Sequence, residues 1–172
     1  MRSKMLLLPA VMIGAIALIG VVSMNSEEPF VGVWPVVGGG RISSRFGWRT
    51  NPKRDANVPQ TRQFHQGLDI AASEGTDLVA PEDGQVTRVD RFHETNGNAV
   101  WITSPSGRVW ALMHLATVAV VKGQNVAAGD PIGEVGETGR ATGPHVHVQL
   151  YEGGETIDPL TRLGGSSPPA LV

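Results

Sequence analysis

Glycine and proline punctuate this chain too densely to leave room for long helices. It carries 22 glycines and 12 prolines in 172 residues, most of them beyond an apolar N-terminus. Such spacing favours short strands joined by turns. Alternation and β-branched content pick out several of them. Gln85–Val89 follows a turn at Asp83-Gly84, and Pro131–Val135 runs between Gly-rich turns. Ala99–Thr103 and Arg108–Met113 flank Ser104-Pro105-Ser106-Gly107, a strong hairpin signal. His145–Leu150 alternates strictly, so His145, His147 and Gln149 share one face while Val146, Val148 and Leu150 share the other. Leu115–Val121 is the single stretch with room for a helical turn, although its β-branched content opposes one. The pattern predicts an all-β domain.

The N-terminus reads as an address. Arg2 and Lys4 precede Met5–Met24, which contains no charged residue, and Glu27 and Glu28 follow. Twenty residues of helix span about 30 Å, the thickness of a bilayer's hydrocarbon core. Basic before and acidic after predicts the N-terminus inside and the remainder outside the inner membrane. The run exceeds the roughly 7–15 residues of a signal-peptide core, which favours a retained anchor. Val21-Val22-Ser23 keeps a cleaved signal open as the alternative. The expected organisation is a signal peptide or membrane anchor over 1–24, a polar, Pro-punctuated linker over 25–36, one domain over 37–163 and a flexible tail over 164–172.

The formal net charge of −2 offers no electrostatic reason to expect nucleic acid as a partner. There are no cysteines, so a transition metal here must be held by His, Asp or Glu, and there are only five histidines. His65 and Asp69 stand four apart in FHQGLD. Gly67 between them argues against a regular helix, so a strand or turn must bring them together. His147 lies far away in sequence. Two imidazoles and one carboxylate make a standard catalytic zinc set with a fourth position open for water. Alone, HxxxD is a weak signal, and HxH is as easily a polar strand edge. His114 alone, beside Leu112 and Leu115, would more often be a packed core histidine. Trp48 and Arg49 are candidates to line a groove, although Trp is also a common core filler. His93, in RFHETNGN, is expected on a surface loop.

The order of the motifs changes this weighing. RISSRFGWR (41–49), FHQGLDIA (64–71), GTDLVAPEDG (75–84), Met113-His114-Leu115 and GETGRATGPHVHV (136–148) occur in succession. Together they resemble the lysostaphin-type, LytM-like family of zinc metallopeptidases, from about Trp34 to Arg162. The resemblance implies a small antiparallel β-sheet with a groove along one face. It implies His65, Asp69 and His147 as ligands of one Zn²⁺, with His114 and His145 as catalytic residues. It further implies an endopeptidase that hydrolyses peptide bonds of peptidoglycan stems or cross-bridges, in the periplasm or at the cell surface, held to the membrane by its N-terminal segment or secreted. Both wall remodelling by a bacterium and lysis by a phage fit. No HExxH supplies a glutamate base, so His114 and His145 would share proton transfer and oxyanion stabilisation, in either order.

The chain departs from the family pattern at four positions. Leu112 stands where Tyr is frequent, Val146 and Val148 replace the usual Leu and Phe, and Gln149 replaces a frequent Glu. None is a ligand position. Two other readings compete. A non-catalytic regulator of other wall hydrolases would be expected to lack ligands, and here all three are present. A phosphocarrier domain of related β-architecture would have no use for the hydrophobic leader.

Overall fold

The computed structural model describes residues 32–50 and 62–164. The apolar segment 1–24, the first part of the expected linker and the tail from 165 onward lie outside the described residues. Among the described residues no helix is long and apolar enough to cross a membrane.

Among the described residues fourteen strands follow one another, most of them short. They are β1 (Gly32–Val33), β2 (Arg41–Ser44), β3 (Gly47–Thr50), β4 (Arg62–His65), β5 (Leu68–Ala71), β6 (Asp77–Val79) and β7 (Gly84–His93), then β8 (Gly97–Thr103), β9 (Val109–Val118), β10 (Asn125–Val126), β11 (Pro131–Val135), β12 (His145–Glu152), β13 (Glu155–Ile157) and β14 (Leu163–Gly164). One 3-10 turn, Pro159–Thr161, is the only helical element among the described residues. The main sheet runs β10-β7-β8-β9-β12-β5-β2, with β11 bridging β9 and β6, and β13 on β12. All its pairings are antiparallel. The β3–β4 hairpin stands as a separate two-stranded piece. The expected hairpin at 104–107 joins β8 to β9: the Ser104 carbonyl accepts from Gly107 N–H, and Gly107 takes a positive φ of 85°.

One face of the sheet is the core. Leu68, Ile70, Val100, Ile102, Trp110, Leu112, Val146, Val148 and Leu150 point into it, all fully buried. Val36 and Trp34 join this core. These two fall within the stretch expected to be linker. The chain is tied down there because β1 pairs in parallel with β14, and the Val33 N–H donates to the Pro81 carbonyl. On the opposite face, Ala99, Trp101, Ala111 and Met113 form a smaller apolar floor.

The stretch 115–121 holds no helical turn. β9 continues through it to Val118, where Glu134 and Gly133 of β11 pair with Thr117 and Val118. Its β-branched residues prefer that pleated setting. The irregularity in β9 is a bulge. Asn98 pairs with Leu115 and Val100 with Leu112, so β9 holds one residue more than β8 across this step. His114 takes a left-handed φ of 69°. A bulge places two successive side chains on one side of a sheet, and here Met113 and His114 both face the groove while Leu115 returns to the core. Asn98 braces it: its Nδ2 donates to the carbonyls of Leu115 and Ala116, both at 3.1 Å, and its Oδ1 accepts from Phe92 N–H. Asn98→Ala should therefore cost about 1–3 kcal/mol by removing the side-chain partner of the Ala116 carbonyl and the Phe92 N–H, read as a lower urea midpoint with unchanged slope.

Candidate active site

β5 and β12 pair so that Asp69 faces His147 directly, and His147 in turn faces Met113 of β9. The row beside it, two residues along, is Arg41–Ala71–His145. On the other side lies Gln149–Ala111–Trp101–Arg88. Residues of these three rows line one groove of about 1120 Å³. His65 enters it from the end of β4. The chain bends at Gln66-Gly67 into β5, which brings His65 and Asp69 together without a helix.

His65, Asp69 and His147 converge. Asp69 Oδ1 lies 2.6 Å from His147 Nδ1 and 3.1 Å from His65 Nε2, and the two ring nitrogens are 3.1 Å apart. The His65 Nδ1–H donates to the Arg45 carbonyl at 2.8 Å. Its Nε2 therefore presents a lone pair to the carboxylate. With at most one proton, on His147 Nδ1, the three atoms cannot satisfy one another. A cation at the centre would. A tetrahedral centre with bonds of about 2.0–2.2 Å needs ligand atoms a little over 3 Å apart, so this trio fits with a slight opening. The other Asp69 oxygen, Oδ2, accepts from Arg49 Nη1 at 3.3 Å, and the same nitrogen donates to Ser44 Oγ. That leaves Oδ1 alone facing the cluster. Burial by itself would raise the Asp69 carboxyl, but the hydrogen bond from His147 and the neighbouring imidazoles hold it well below the usual carboxylate range. Burial pushes His147 below the ordinary imidazole value, against the pull of Asp69.

His114 and His145 stand beside this trio, with ring centroids 4.9 Å apart. His145 Nε2 is 3.9 Å from Asp69 Oδ1. Each ring is oriented by a backbone carbonyl. His114 Nδ1–H donates to Thr138 and His145 Nδ1–H to Gly143, both at 2.8 Å. Both therefore keep Nε2 as an acceptor on the side away from the backbone. Burial lowers the His114 pKa from 6.5 to about 4, against a hydrogen bond to the Thr138 carbonyl, so the ring is neutral at pH 7.

The structure thus gathers all five residues singled out from sequence into one groove. Arg49 lines it as expected. Trp48 does not: it is 65% exposed and packs edge-on to Phe64, with neither a groove nor a core role. His93 is exposed at the end of β7, and its Nδ1 accepts from the N–H groups of Thr95 and Asn96. Residues that sequence reasoning did not pick out include Thr138, whose carbonyl orients His114 and whose Oγ1 donates to the Leu115 carbonyl. Gly67 was noted only as a helix-breaker. A Cβ on it would lie 2.7 Å from His147 Nε2 and 2.5 Å from the Val148 carbonyl.

An antiparallel β-sheet that presents a His/Asp/His cluster and two further histidines in an open groove has the layout of a hydrolytic metal site. The profile of Peptidase family M23 matches residues 63–159, more than half of the chain, and the chain belongs to that family. It is 39% identical over 121 residues to the DD-carboxypeptidase/endopeptidase Mpg of Neisseria meningitidis, covering 70% of this chain and 26% of that protein. It is 36% identical over 121 residues to the peptidoglycan DD-endopeptidase ShyC of Vibrio cholerae, covering 70% and 27%. A crystal structure of a zinc-containing peptidase from Vibrio cholerae superposes with a TM-score of 0.62 at 35% identity, over 73% of this chain and 37% of that one. The chain spans about a quarter of the length of these two curated relatives.

Two outcomes follow from the packing. Gly67→Ala should displace the His147 ring and weaken metal binding at least tenfold, measured by competition with a chromogenic chelator. His114 is protonated in the unfolded chain below about pH 6.5 but in the folded chain only near 4. Its contribution to stability is therefore fully present above 6.5 and is lost as the pH falls towards 4. Metal-free His114→Gln should show a shallower loss of stability across that window in urea titrations.

Proposed function

We propose that the chain is a zinc-dependent endopeptidase acting on the peptide part of peptidoglycan, outside the inner membrane. The observation that carries this reading is the convergence of the His65, Asp69 and His147 ligand atoms beside two further histidines in one groove. The names of the relatives, peptidoglycan DD-endopeptidase among them, support the substrate class. In this reading the catalytic domain, expected over 37–163, also takes in Trp34 and Val36, and residues 1–24 deliver it across the membrane or anchor it there.

His65 Nε2, Asp69 Oδ1 and His147 Nδ1 would hold the zinc. When bound, zinc supplies a Lewis acid for the scissile carbonyl and makes hydroxide available near neutral pH. The protein's own groups do the rest. Arg49 keeps Asp69 turned so that one oxygen faces the cluster. The Arg45 carbonyl orients the His65 ring through its other nitrogen. His114, neutral at pH 7, offers Nε2 as a proton acceptor. His145 offers a second Nε2, which when protonated becomes a donor to a developing oxyanion or a leaving amine. The two rings, with centroids 4.9 Å apart, would divide these two roles. Leu112 points into the core, so no side chain at that position reaches the groove.

His114→Ala and His145→Ala should each keep zinc, by atomic absorption, and lose at least about a hundredfold in the release of peptide fragments from purified peptidoglycan, followed by mass spectrometry. Asp69→Ala should lose the metal. His93→Ala should behave as wild type. Zinc loss in His114→Ala would make that residue a ligand, and near-normal hydrolysis would remove it from the mechanism. A reporter fused after Val172 should be active only if it is a kind that works outside the inner membrane.

A further inference from the structure

The groove carries a charge that the molecule as a whole does not. The net charge of the chain is −2, yet the groove is lined by four arginines and a single acid, Asp69. Two of the arginines are already engaged. Arg49 holds Asp69 and Ser44. Arg88 donates to both oxygens of Asp90, at 2.8 and 2.6 Å, and lies over the Trp101 ring. The guanidinium groups of Arg41 and Arg140 have no partner among the described residues, while their backbones are fixed.

Their placement is specific. Arg41 lies on β2, across from Ala71 of β5, which lies across from His145 of β12. Facing residues share a side of the sheet, so only the methyl group of Ala71 separates the Arg41 side chain from His145 in that row. Arg140 lies on the opposite flank, in the loop that leads from β11 into His145. That loop is pinned to the β7–β8 turn by the Arg140 N–H, which donates to the Thr95 carbonyl. Arg41 and Arg140 thus line the same groove as His145, one in its cross-strand row and one in the loop that leads into it, and the only acid of that lining is Asp69, whose charge a bound cation would neutralise. Planar guanidinium forks match carboxylates.

We propose that Arg41 and Arg140 form a carboxylate-binding subsite at the His145 end of the groove. It selects stem peptides that carry a free carboxylate beside the bond to be cut over peptides in which that group is neutral. The proposal rests on the reading of the chain as a peptidoglycan endopeptidase and names the chemistry that reading leaves open. Arg41 and Arg140 act in binding, and their loss leaves the metal cluster and both catalytic histidines in place.

The test compares two synthetic cross-linked stem peptides, identical except that the side-chain carboxylate next to the scissile amide is a carboxamide in one. The zinc-loaded full chain should cleave the carboxylate form with about tenfold higher kcat/KM, expressed mainly in KM, as a charge-assisted contact of ordinary strength would give. Raising the salt concentration should shrink the preference. The R41Q/R140Q double variant should lose the preference, and an unchanged zinc content and urea midpoint report that it is folded. Equal cleavage of both forms by the wild type, or a preference that survives in the double variant, would overturn the subsite. Calorimetry on the metal-free chain with the corresponding uncross-linked stem peptides, which lack the cross-link amide, separates this from the function itself. Carboxylate-selective binding that depends on Arg41 and Arg140, without cleavage of either cross-linked peptide, would keep the subsite and reject the hydrolase.

Discussion

The pairing of β5 with β12 is the constraint on which the rest depends. Side chains alternate between faces with a period of two, so a slip of one residue would exchange the groove and core faces of β12. His145, His147 and Gln149 would be driven into the core, and Val146, Val148 and Leu150 would line the groove. The three apolar residues of this strand are fully buried. Their transfer from water, about 1.5–3 kcal/mol each, is what holds the register. The energy that aligns Asp69 with His147 is thus spent on the opposite face of the sheet from the site.

Orientation within the site comes from fixed backbone atoms. His65, His114 and His145 each give Nδ1–H to a carbonyl, of Arg45, Thr138 and Gly143 respectively. Each therefore turns Nε2 away from the backbone, and the tautomer is set before any ligand arrives. His147 is the exception: its Nδ1 faces Asp69, and its far edge lies against Gly67, where no side chain could fit. The price of this arrangement is a convergence of lone pairs that the protein alone cannot neutralise. Such preorganisation is typical of sites built to receive a cation. The bulge at His114 adds a second local cost, a left-handed backbone at a residue with a Cβ, and Asn98 supplies the hydrogen bonds that hold it.

Much of the sheet was legible because strands announce themselves by alternation. Gln85–Val89, Ala99–Thr103, Arg108–Met113, Pro131–Val135 and His145–Leu150 all lie within observed strands or overlap them, and the 104–107 hairpin closes as its residues imply. The ends were less legible. β7 and β9 run several residues beyond the apolar pattern, because pairing with neighbours extends strands through polar residues. The stretch 115–121 joins β9 for the same reason. Trp34 and Val36 sit among prolines and turn residues, and only the closing contact of β1 with β14 brings them into the core.

By itself, the sequence determined the chemistry available: no thiolate, five histidines, and an HxxxD and an HxH in the order of a known family. It also determined that His145 and His147 share a face, since that follows from the geometry of a single strand. It could not decide which atoms meet. Asp69 and His147 are 78 residues apart and are joined by a register that depends on two strands at once. His114 reaches the groove through a bulge, a feature of pairing that leaves no periodic mark in the chain. Likewise, which arginines remain free depends on what each finds nearby: Asp69 and Ser44 for Arg49, Asp90 for Arg88, and no side chain among the described residues for Arg41 and Arg140. Local patterns specify elements and faces, whereas contacts between distant residues are fixed only when the sheet closes and its core excludes water.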